Sequence, residues 1–395
     1  MDYQFSKRVN AVTPSPTLMV SRKAKEMQAQ GIDVINLGMG EPDFPTPTHI
    51  DEAAIQAIQA NKTSFYTAVS GIPALKAAIA DRMNLRYGSK VGADNVTVTT
   101  GAKLSLYVLM QVLLDPEDWV VTARPQWVSY VEQVKLAGGH FHSILPDNPS
   151  LKLTLADLEA LDHPVKVLIL NSPTNPTGQV YSRQELTGIL NWANQHGTYV
   201  ILDEIYGQLV YNGATFTSGL QLQELNDSRM IIVDGVSKAY SMTGWRIGWT
   251  LADPRIIGAM NKILGHMTSN PSAVSQYAAL AALTDSQDCV EEMRQTFEQR
   301  LNATYAQLEQ MSFFNLPVKP QGAFYLFPQI NPQVMADLGF ESTSELVQAI
   351  LTQSHVALPS GEGFGMPGYL RISYAKDQAT LDQALSRLNN FFNNK

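Results

Sequence analysis

The sequence predicts an α/β protein built on a largely parallel sheet. Through the middle of the chain, short apolar runs typical of buried strands alternate with stretches of helical periodicity. Later in the chain the order changes to long helices followed by short strands. Together the two patterns predict a wound α/β domain and a second, smaller α+β domain.

Five apolar runs in the central part are predicted as strands. Two of the stretches between them, 104–114 and 185–195, repeat apolar residues at helical spacing. Ligands of a wound sheet bind beyond the carboxyl ends of its strands, so we expect the functional groups in the loops that follow these strands. The predicted strands are 96–100, 119–122, 165–170, 199–202 and 230–233.

The later part of the chain predicts the smaller domain. Residues 275–283 and 290–311 have helical periodicity, 322–327 and 369–374 are strand-like, and a closing helix follows. We place the domain boundary near residue 295, inside the long helix. The predicted division is 46–295 for the large domain, and 1–45 with 296–395 for the small domain with an N-terminal arm.

Composition argues against several classes of function. The 395 residues include 28 basic and 36 acidic side chains, a formal charge of −8, without a basic run suited to nucleic acid. Cys289 is the only cysteine, so no intrachain disulfide can form, and scattered histidines predict no metal site. Gly38 and Gly40 lack the third glycine of a dinucleotide motif. Without a signal-like or membrane-spanning segment, we expect a cytoplasmic protein with no membrane partner.

Ionisable side chains follow two successive predicted strands. Asp203 and Tyr206 come after one strand, and Lys238 comes after the next. Taken alone, such an acid often caps a helix, and a lysine is usually a solvated surface charge. The run after Lys238 is apolar and glycine-rich around Arg246, a setting that lowers the pKa of an amine. A neutral amine suits a Schiff-base nucleophile, and a guanidinium suits a phosphate.

Two further loops complete a recognisable set of groups. Gly101, Ala102 and Lys103 stand between a strand and a helix, where backbone amides can hold a phosphate. The loop 171–178 contains two prolines around Asn175, whose amide can both donate and accept. Pyridoxal phosphate (PLP) needs an amine, an acid at its ring nitrogen, partners for its ring hydroxyl and a phosphate site. The sequence therefore predicts PLP as the cofactor.

With these motifs the chain resembles the class I aminotransferases of fold type I, with a pattern closest to the bacterial aspartate aminotransferases. The matching motifs occur in order over nearly the whole chain. The resemblance implies a large domain with a mostly parallel seven-stranded sheet, a smaller α+β domain, and a homodimer with shared active sites. The matching segments are 38–44, Tyr66 with 71–73, 127–130, 171–178, 203–206, 237–238, 244–248, 322–325 and 370–374.

The resemblance also implies a role for individual residues. The implied catalytic residues are Lys238, which carries PLP as a Schiff base and acts as general base, Asp203, which pairs with the ring nitrogen, and Tyr206. The implied cofactor contacts are Gly101, Ala102, Lys103, Trp127, Asn175, Asp203, Tyr206, Ser237, Lys238 and Arg246, with Tyr66 reaching the phosphate in the neighbouring subunit. The implied substrate contacts are Gly40, Trp127, Asn175, Arg371, Lys103, Thr17 and Ser15.

Lys103 indicates the kind of substrate. A cation in the first turn of a helix opposes the helix dipole by about 0.3 to 1 kcal/mol, which a bound anion would offset. In similar proteins that prefer aspartate, a lysine here binds the side-chain carboxylate with hydroxyls matching Ser15 and Thr17. We therefore predict ping-pong transfer of the amino group from aspartate to 2-oxoglutarate, with a solvated lysine as the alternative interpretation.

Other activities stay open at this stage, because the motifs define the cofactor better than the donor. They are aromatic or alanine transamination and a PLP-dependent β-lyase; a DNA-binding regulator is disfavoured. Three positions depart from the family pattern. Gly235 replaces a phosphate-binding serine, whose role Ser237 could take; Thr13 replaces a lysine of prephenate-accepting relatives; Gln126 replaces an aromatic residue.

Overall fold

A seven-stranded sheet lies at the centre of the computed structural model, which describes residues 3–393. The strands of residues 3–393, of which seven form this sheet and the others form two-stranded pairs, are β1 (Ile35–Asn36), β2 (Val96–Thr99), β3 (Trp119–Ala123), β4 (His140–Ile144), β5 (Val167–Asn171), β6 (Tyr199–Asp203), β7 (Met230–Gly235), β8 (Gly248–Leu251), β9 (Phe314–Asn315), β10 (Tyr325–Leu326), β11 (Gln329–Ile330), β12 (Val356–Ala357) and β13 (Ile372–Ser373). The central sheet has the order β2-β8-β7-β6-β5-β3-β4, and only β8 pairs antiparallel with its neighbours. The prediction of a mostly parallel seven-stranded sheet is confirmed.

Helices cover both faces of this sheet. The α-helices of residues 3–393 are α1 (Lys7–Ala11), α2 (Pro16–Ala29), α3 (Thr48–Gln59), α4 (Pro73–Tyr87), α5 (Ala102–Leu113), α6 (Ser129–Ala137), α7 (Leu155–Glu159), α8 (Arg183–His196), α9 (Pro254–Met267), α10 (Ala273–Thr284), α11 (Asp288–Leu308), α12 (Pro332–Asp337), α13 (Thr343–Ser354) and α14 (Gln378–Asn393). Within residues 3–393, none of them is long and apolar enough to cross a membrane.

The central strands β5, β6 and β7 are mostly apolar up to their carboxyl ends because both faces of the sheet are covered. In β5, Val167 and Ile169 join one core, while Leu168 and Leu170 join the core on the opposite face. All four side chains are buried. Alternate side chains of a strand point to opposite faces, so a strand between two helical layers has no polar side.

Two strands of the sheet are absent from the sequence prediction. β4 is an edge strand whose residues are all only half-buried, and its polar composition, including His140 and His142, hides it. β8 lies inside the glycine-rich run after Lys238. It begins at Gly248, where a Cβ atom would lie 2.3 Å from the backbone nitrogen of Ala102. Glycine is therefore needed at a point where strand and helix backbones approach closely.

A separate core is formed by segments from both ends of the described chain. In it β1 pairs in parallel with β12, so that Ile35 lies beside Val356. The long helix α11 contributes Val290 to the core of the central sheet, and Phe297 to the second core. The helix thus runs without interruption from one core to the other.

Candidate active site

A cavity of about 470 Å³ lies at the carboxyl ends of β5, β6 and β7. The position is the one expected for a wound sheet, because loops leave the strands there. Predicted site residues that line the cavity are Thr17, Gly40, Ala102, Lys103, Trp127, Asn175, Asp203, Tyr206, Ser237, Lys238, Arg246 and Arg371. The remaining predicted residues, Gly101, Ser15 and Tyr66, lie outside its lining, as described below.

Lys238 is half-buried and lines this cavity with its amine. Its Nζ donates a hydrogen bond to the backbone oxygen of Gly40 at 2.6 Å. Burial, with smaller contributions from the charges of Arg371 and Arg246, lowers the pKa of Lys238 to about 8, while the charge of Glu41 opposes this shift. A substantial neutral fraction at neutral pH follows, which a nucleophilic amine requires.

Asp203 is held by its neighbours at the end of β6. The Tyr130 hydroxyl donates to Asp203 Oδ2 at 2.7 Å. Burial raises the pKa of Asp203 to about 6, while the hydrogen bond from Tyr130 opposes that rise. Asn171 Nδ2 donates to the backbone oxygen of Asp203 at 2.9 Å, and Asn171 Oδ1 accepts from the backbone nitrogen of Asn175 at 2.7 Å. Two neighbouring strand ends are thereby tied together.

Arg371 is a buried cation whose hydrogen bonds go to neutral oxygen atoms. Nη1 donates to Asn175 Oδ1 at 3.1 Å, and Nη2 donates to the backbone oxygen of Gly38 at 2.7 Å. The guanidinium lies 4.4 Å from the centre of the Tyr325 ring, and its buried Nε has no hydrogen-bond partner. A buried guanidinium without a neutralising anion is suited to binding a carboxylate.

A second anion-binding region lies at the start of α5. Gly101 caps this helix at a φ of +80°, and a Cβ atom there would lie 2.5 Å from Arg246 Nη2. Arg246 also has a positive φ, and its Nη1 donates to the backbone oxygen of Thr243 at 3.0 Å. Gly101 thus admits the guanidinium to the helix N-terminus. Free backbone amides and a guanidinium together favour an anion such as a phosphate.

Gly235 lies outside the lining, in contrast to Ser237. A Cβ atom at Gly235 would lie 2.9 Å from both the Cα of Gly248 and the backbone oxygen of Ile247. The position is therefore occupied by backbone of β8, while Ser237 lines the cavity. The close pairing of Gly235 with Gly248 explains why this chain has no larger residue here.

Lys103 lies in the wall of the cavity that α2 also borders. Its Nζ is 4.9 Å from the Trp127 ring centre. Burial, and secondarily the charge of Arg246, lowers the pKa of Lys103. Thr17 lines the same cavity and shares a 3.0 Å hydrogen bond with Ser15, which itself stands behind the lining. A cation and a hydroxyl therefore line the same cavity.

Tyr206 contacts a phenol to which the sequence prediction assigns no role. Its hydroxyl lies 3.0 Å from that of Tyr325. Burial raises the pKa of Tyr206 well above its usual range. A Cβ atom at Gly40 would lie 2.8 Å from Tyr325 Oη, so this phenol also limits residue 40 to glycine.

Tyr130, Tyr325 and Glu41 are functional candidates missed by the sequence prediction. All three lie in motifs that were matched, but no role was given to them. One signal was present for Tyr130: it stands three residues after Trp127, a spacing that places two side chains on one side of a helical turn. Their rings meet edge to face at 5.4 Å.

Thr13 and Gln126 are the other two positions that depart from the family pattern. Thr13 donates from its backbone nitrogen and its hydroxyl to the carboxylate of Glu132, at 3.0 and 2.8 Å, which attaches the N-terminal segment to α6. Gln126 is buried next to Trp127, and its Oε1 has no partner.

Tyr66 points away from the cavity of its own chain. It is 91% exposed, and the adjacent Phe65 is 79% exposed. Ile55 and Ile58 on α3 are also largely exposed. Large apolar side chains exposed in one region commonly mark a protein–protein contact.

Known proteins resemble this chain over nearly its whole length. The family model for class I and II aminotransferases matches residues 32–388. An asparagine–oxo-acid transaminase of Streptococcus mutans is 44% identical over 390 residues, covering 98% of this chain and 99% of that protein. An aspartate aminotransferase of Geobacillus stearothermophilus is 45% identical over 391 residues, 98% of either chain. The structure of Thermus thermophilus aspartate aminotransferase with maleate has a TM-score of 0.91 at 34% identity, covering 98% of this chain and 100% of that one. The chain therefore belongs to the class I and II aminotransferases.

Proposed function

We propose that this aminotransferase uses PLP to move the amino group of aspartate to 2-oxoglutarate in two half-reactions. The observation that carries the proposal is that one cavity is lined by a half-buried amine, a buried acid and a buried arginine. These groups are Lys238, Asp203 and Arg371. A nucleophile, a partner for a cationic ring and a carboxylate ligand are the requirements of this chemistry.

The residues fit PLP at three points. The amine of Lys238 is suited to a Schiff base because burial lowers its pKa to about 8. The carboxyl group of Asp203 could pair with a protonated ring nitrogen, whose charge would favour ionised Asp203. The space beside Gly101 and Arg246 would hold the phosphate. When bound, PLP supplies the electron sink for cleavage of the Cα–H bond.

The protein's own contribution to catalysis begins with Lys238. Once the substrate amino group has replaced Lys238 in the Schiff base, the neutral Nζ of Lys238 can accept the proton from the Cα of the bound amino acid. In the second half-reaction Lys238 returns a proton to the carbon of the incoming oxo acid. Amino group and hydrogen are exchanged for a carbonyl oxygen, so no external oxidant or reductant is needed. The low pKa of Lys238 supports its role as this base.

Substrate orientation is assigned to Arg371 and Asn175. The two planar groups already contact each other at 3.1 Å. A substrate α-carboxylate would receive charge-assisted hydrogen bonds from them, and these would hold the Cα in reach of Lys238. Trp127 would support the cofactor ring, and Tyr206 its hydroxyl.

The preference for aspartate is supported by Lys103 and by the relatives. Lys103 and Thr17 line the same cavity and would offer a cation and a hydroxyl to a side-chain carboxylate. The Geobacillus relative is named for aspartate, and the Thermus structure holds maleate, a dicarboxylate. A carboxylate at this place would also offset the repulsion between Lys103 and Arg246.

Asparagine is the second candidate donor. A carboxylate accepts hydrogen bonds only, whereas an amide needs a donor for its oxygen and acceptors for its NH2 group. Lys103 can donate, and the hydroxyls of Thr17 and Ser21, one turn apart on α2, line the same cavity and can accept. The Streptococcus relative is named for asparagine.

The absorbance of the PLP-loaded protein tests the proposal. Adding aspartate should convert the spectrum of the aldehyde form into that of the amine form, and adding 2-oxoglutarate should reverse it. A panel of aspartate, asparagine, alanine and aromatic donors then ranks kcat/KM. A spectrum unchanged by every amino acid would exclude transamination, and a preference for alanine or aromatic donors would exclude the proposed substrate.

A homodimer with shared active sites completes the proposal. The exposed region formed by Ile55, Ile58, Phe65 and Tyr66 supports it, because a second copy would cover these side chains. Tyr66 would then contribute its hydroxyl to the phosphate site of the partner subunit. Its exposure within one chain is consistent with that role.

A further inference from the structure

We propose that Tyr130 is a positioning residue that keeps Asp203 ionised and oriented toward the ring nitrogen of PLP. This inference rests on the proposed cofactor and extends it to a residue outside the cavity lining. Tyr130 would act through Asp203, without touching cofactor or substrate.

The geometry of the pair carries the inference. Tyr130 is 2% exposed, and its hydroxyl donates to Asp203 Oδ2 at 2.7 Å. The other oxygen, Oδ1, accepts only a longer bond of 3.3 Å from the backbone nitrogen of Ile205. One oxygen of the carboxyl group is therefore held firmly, which fixes the plane of the group at the end of β6.

The direction of the hydrogen bond selects the ionised acid. A phenol that donates to a carboxyl oxygen stabilises the carboxylate more than the neutral acid. Burial raises the pKa of Tyr130 well above its usual range, so the phenol keeps its proton and can act only as this donor toward Asp203. Without Tyr130, burial would favour neutral Asp203, which cannot keep a ring nitrogen protonated.

Other titratable groups near Asp203 do not substitute for Tyr130. Lys238 favours the ionised acid by its charge, but it must combine with the cofactor. Tyr206 is hydrogen-bonded to Tyr325, and Asp234 near the end of β7 is an acid that repels Asp203 when ionised. Tyr130 on α6 is thus the one neutral donor hydrogen-bonded to this carboxylate among the described side chains.

Two cofactors that differ only at the ring nitrogen provide the test. Equilibrium dissociation constants are measured for PLP and for its analogue with a C–H group in place of that nitrogen. Tyr130→Phe should weaken PLP binding about tenfold or more, as expected for loss of a hydrogen bond to a charged group. Binding of the analogue should be almost unchanged, because it offers Asp203 no cation.

Matched variants separate this role from packing. The quantity compared is the dissociation constant of the analogue divided by that of PLP. Tyr181→Phe removes another buried hydroxyl, which accepts from the backbone nitrogen of Leu153, and should leave this ratio unchanged. Tyr130→His, which retains a donor, should keep a ratio close to that of the unchanged protein.

Three results would contradict the proposal in distinct ways. Equal weakening of both cofactors by Tyr130→Phe, or no weakening of either, would show a structural role or none. Asp203→Asn removes the carboxylate itself and gives the ratio expected when the ring nitrogen has no acidic partner. A ratio for Tyr130→His as low as that one would also overturn the inference. If the unchanged protein failed to bind PLP, the proposed function itself would fall, whereas normal PLP binding with an unchanged ratio in Tyr130→Phe removes only the role of Tyr130.

Discussion

Single side chains in the cavity show how burial prepares groups for chemistry. Lys238 is made less basic by burial, and Asp203 is made less acidic by it. Each shift is opposed by a specific partner, Glu41 for the lysine and Tyr130 for the acid. The sequence predicted the first residue of each pair from its place after a strand, but the partners come from distant segments. Tyr130 and Asp203 are 73 positions apart, so only the folded chain reveals their contact.

The pKa of Lys238 leads to a prediction about cofactor uptake. The neutral amine is the reactive form, so the rate at which the PLP-free protein combines with PLP should rise with pH and level off above about 8. Below that pH it should fall about tenfold per unit, because the protonated fraction grows. Rapid-mixing absorbance measurements between about pH 6 and pH 10 check this dependence.

Glu41→Gln tests the electrostatic cause of this pH dependence of cofactor uptake. The charge of Glu41 raises the pKa of Lys238, so its removal should shift the midpoint to lower pH. A midpoint that stays in place or moves upward would contradict the assigned electrostatics. Lys238→Ala is the control, because without the amine no covalent uptake should occur at any pH.

Lys103→Ala tests the proposed recognition of the substrate side chain. Loss of the cation should raise the KM for aspartate about tenfold or more, as for other charge-assisted contacts. Aromatic donors should change little, because they offer no carboxylate at this position. Lys135→Ala on α6 serves as a control, since that lysine forms a partly exposed ion pair with Glu132. Equal effects of Lys103→Ala on both donor classes would contradict the assignment.

At the scale of elements, three backbone segments of the chain approach each other closely at the cavity. The start of β8 lies between the end of β7 and the first turn of α5, with Gly248 paired to Gly235 and close to Ala102. The sequence predicted β7 and α5 from their apolar patterns. It missed β8 because a strand that begins among glycines lacks the usual β-branched signal, and it missed β4 because an edge strand is polar.

Gly235→Ser should therefore destabilise the protein without improving cofactor binding. The new Cβ atom would lie 2.9 Å from backbone atoms of β8, which cannot move aside like a flexible side chain. We expect a loss of about 1 to 3 kcal/mol, the usual range for overpacking, seen as a lower Tm. Gly188→Ser on α8 is the control, since a Cβ atom there meets no atom within 4 Å. Tighter PLP binding by Gly235→Ser would contradict this account of the departure from the family pattern.

At the scale of the whole molecule, function is proposed to need two copies of the chain. The division into two domains near residue 295 stays a prediction, and α11 contributes side chains to both cores. The expected contact between copies came from the family resemblance alone, because side chains such as Phe65 and Tyr66 give no local signal of what would cover them.

Mixing two inactive variants tests the shared site. Lys238→Ala inactivates its own site but provides an intact Tyr66, and Tyr66→Ala keeps its own Lys238. After unfolding and refolding together, mixed dimers should contain one complete site and restore about a quarter of normal activity. Lys238→Ala mixed with Asp203→Asn is the control, because both changes affect a subunit's own site. Activity no higher than in that control would exclude sharing through Tyr66.

The parallel pairing of β1 with β12 has a consequence for the order in which the chain folds. A ribosome releases Ile35 long before Val356, with every strand of the central sheet synthesised between them. The central domain can therefore fold first, while β1 stays unpaired until β12 has been synthesised. Gly38 and Gly40 follow β1 directly, and their carbonyl oxygens hold Arg371 and Lys238. A nascent chain should accordingly complete this cavity late, once β12 and Arg371 have been synthesised and the segment after β1 can take its place.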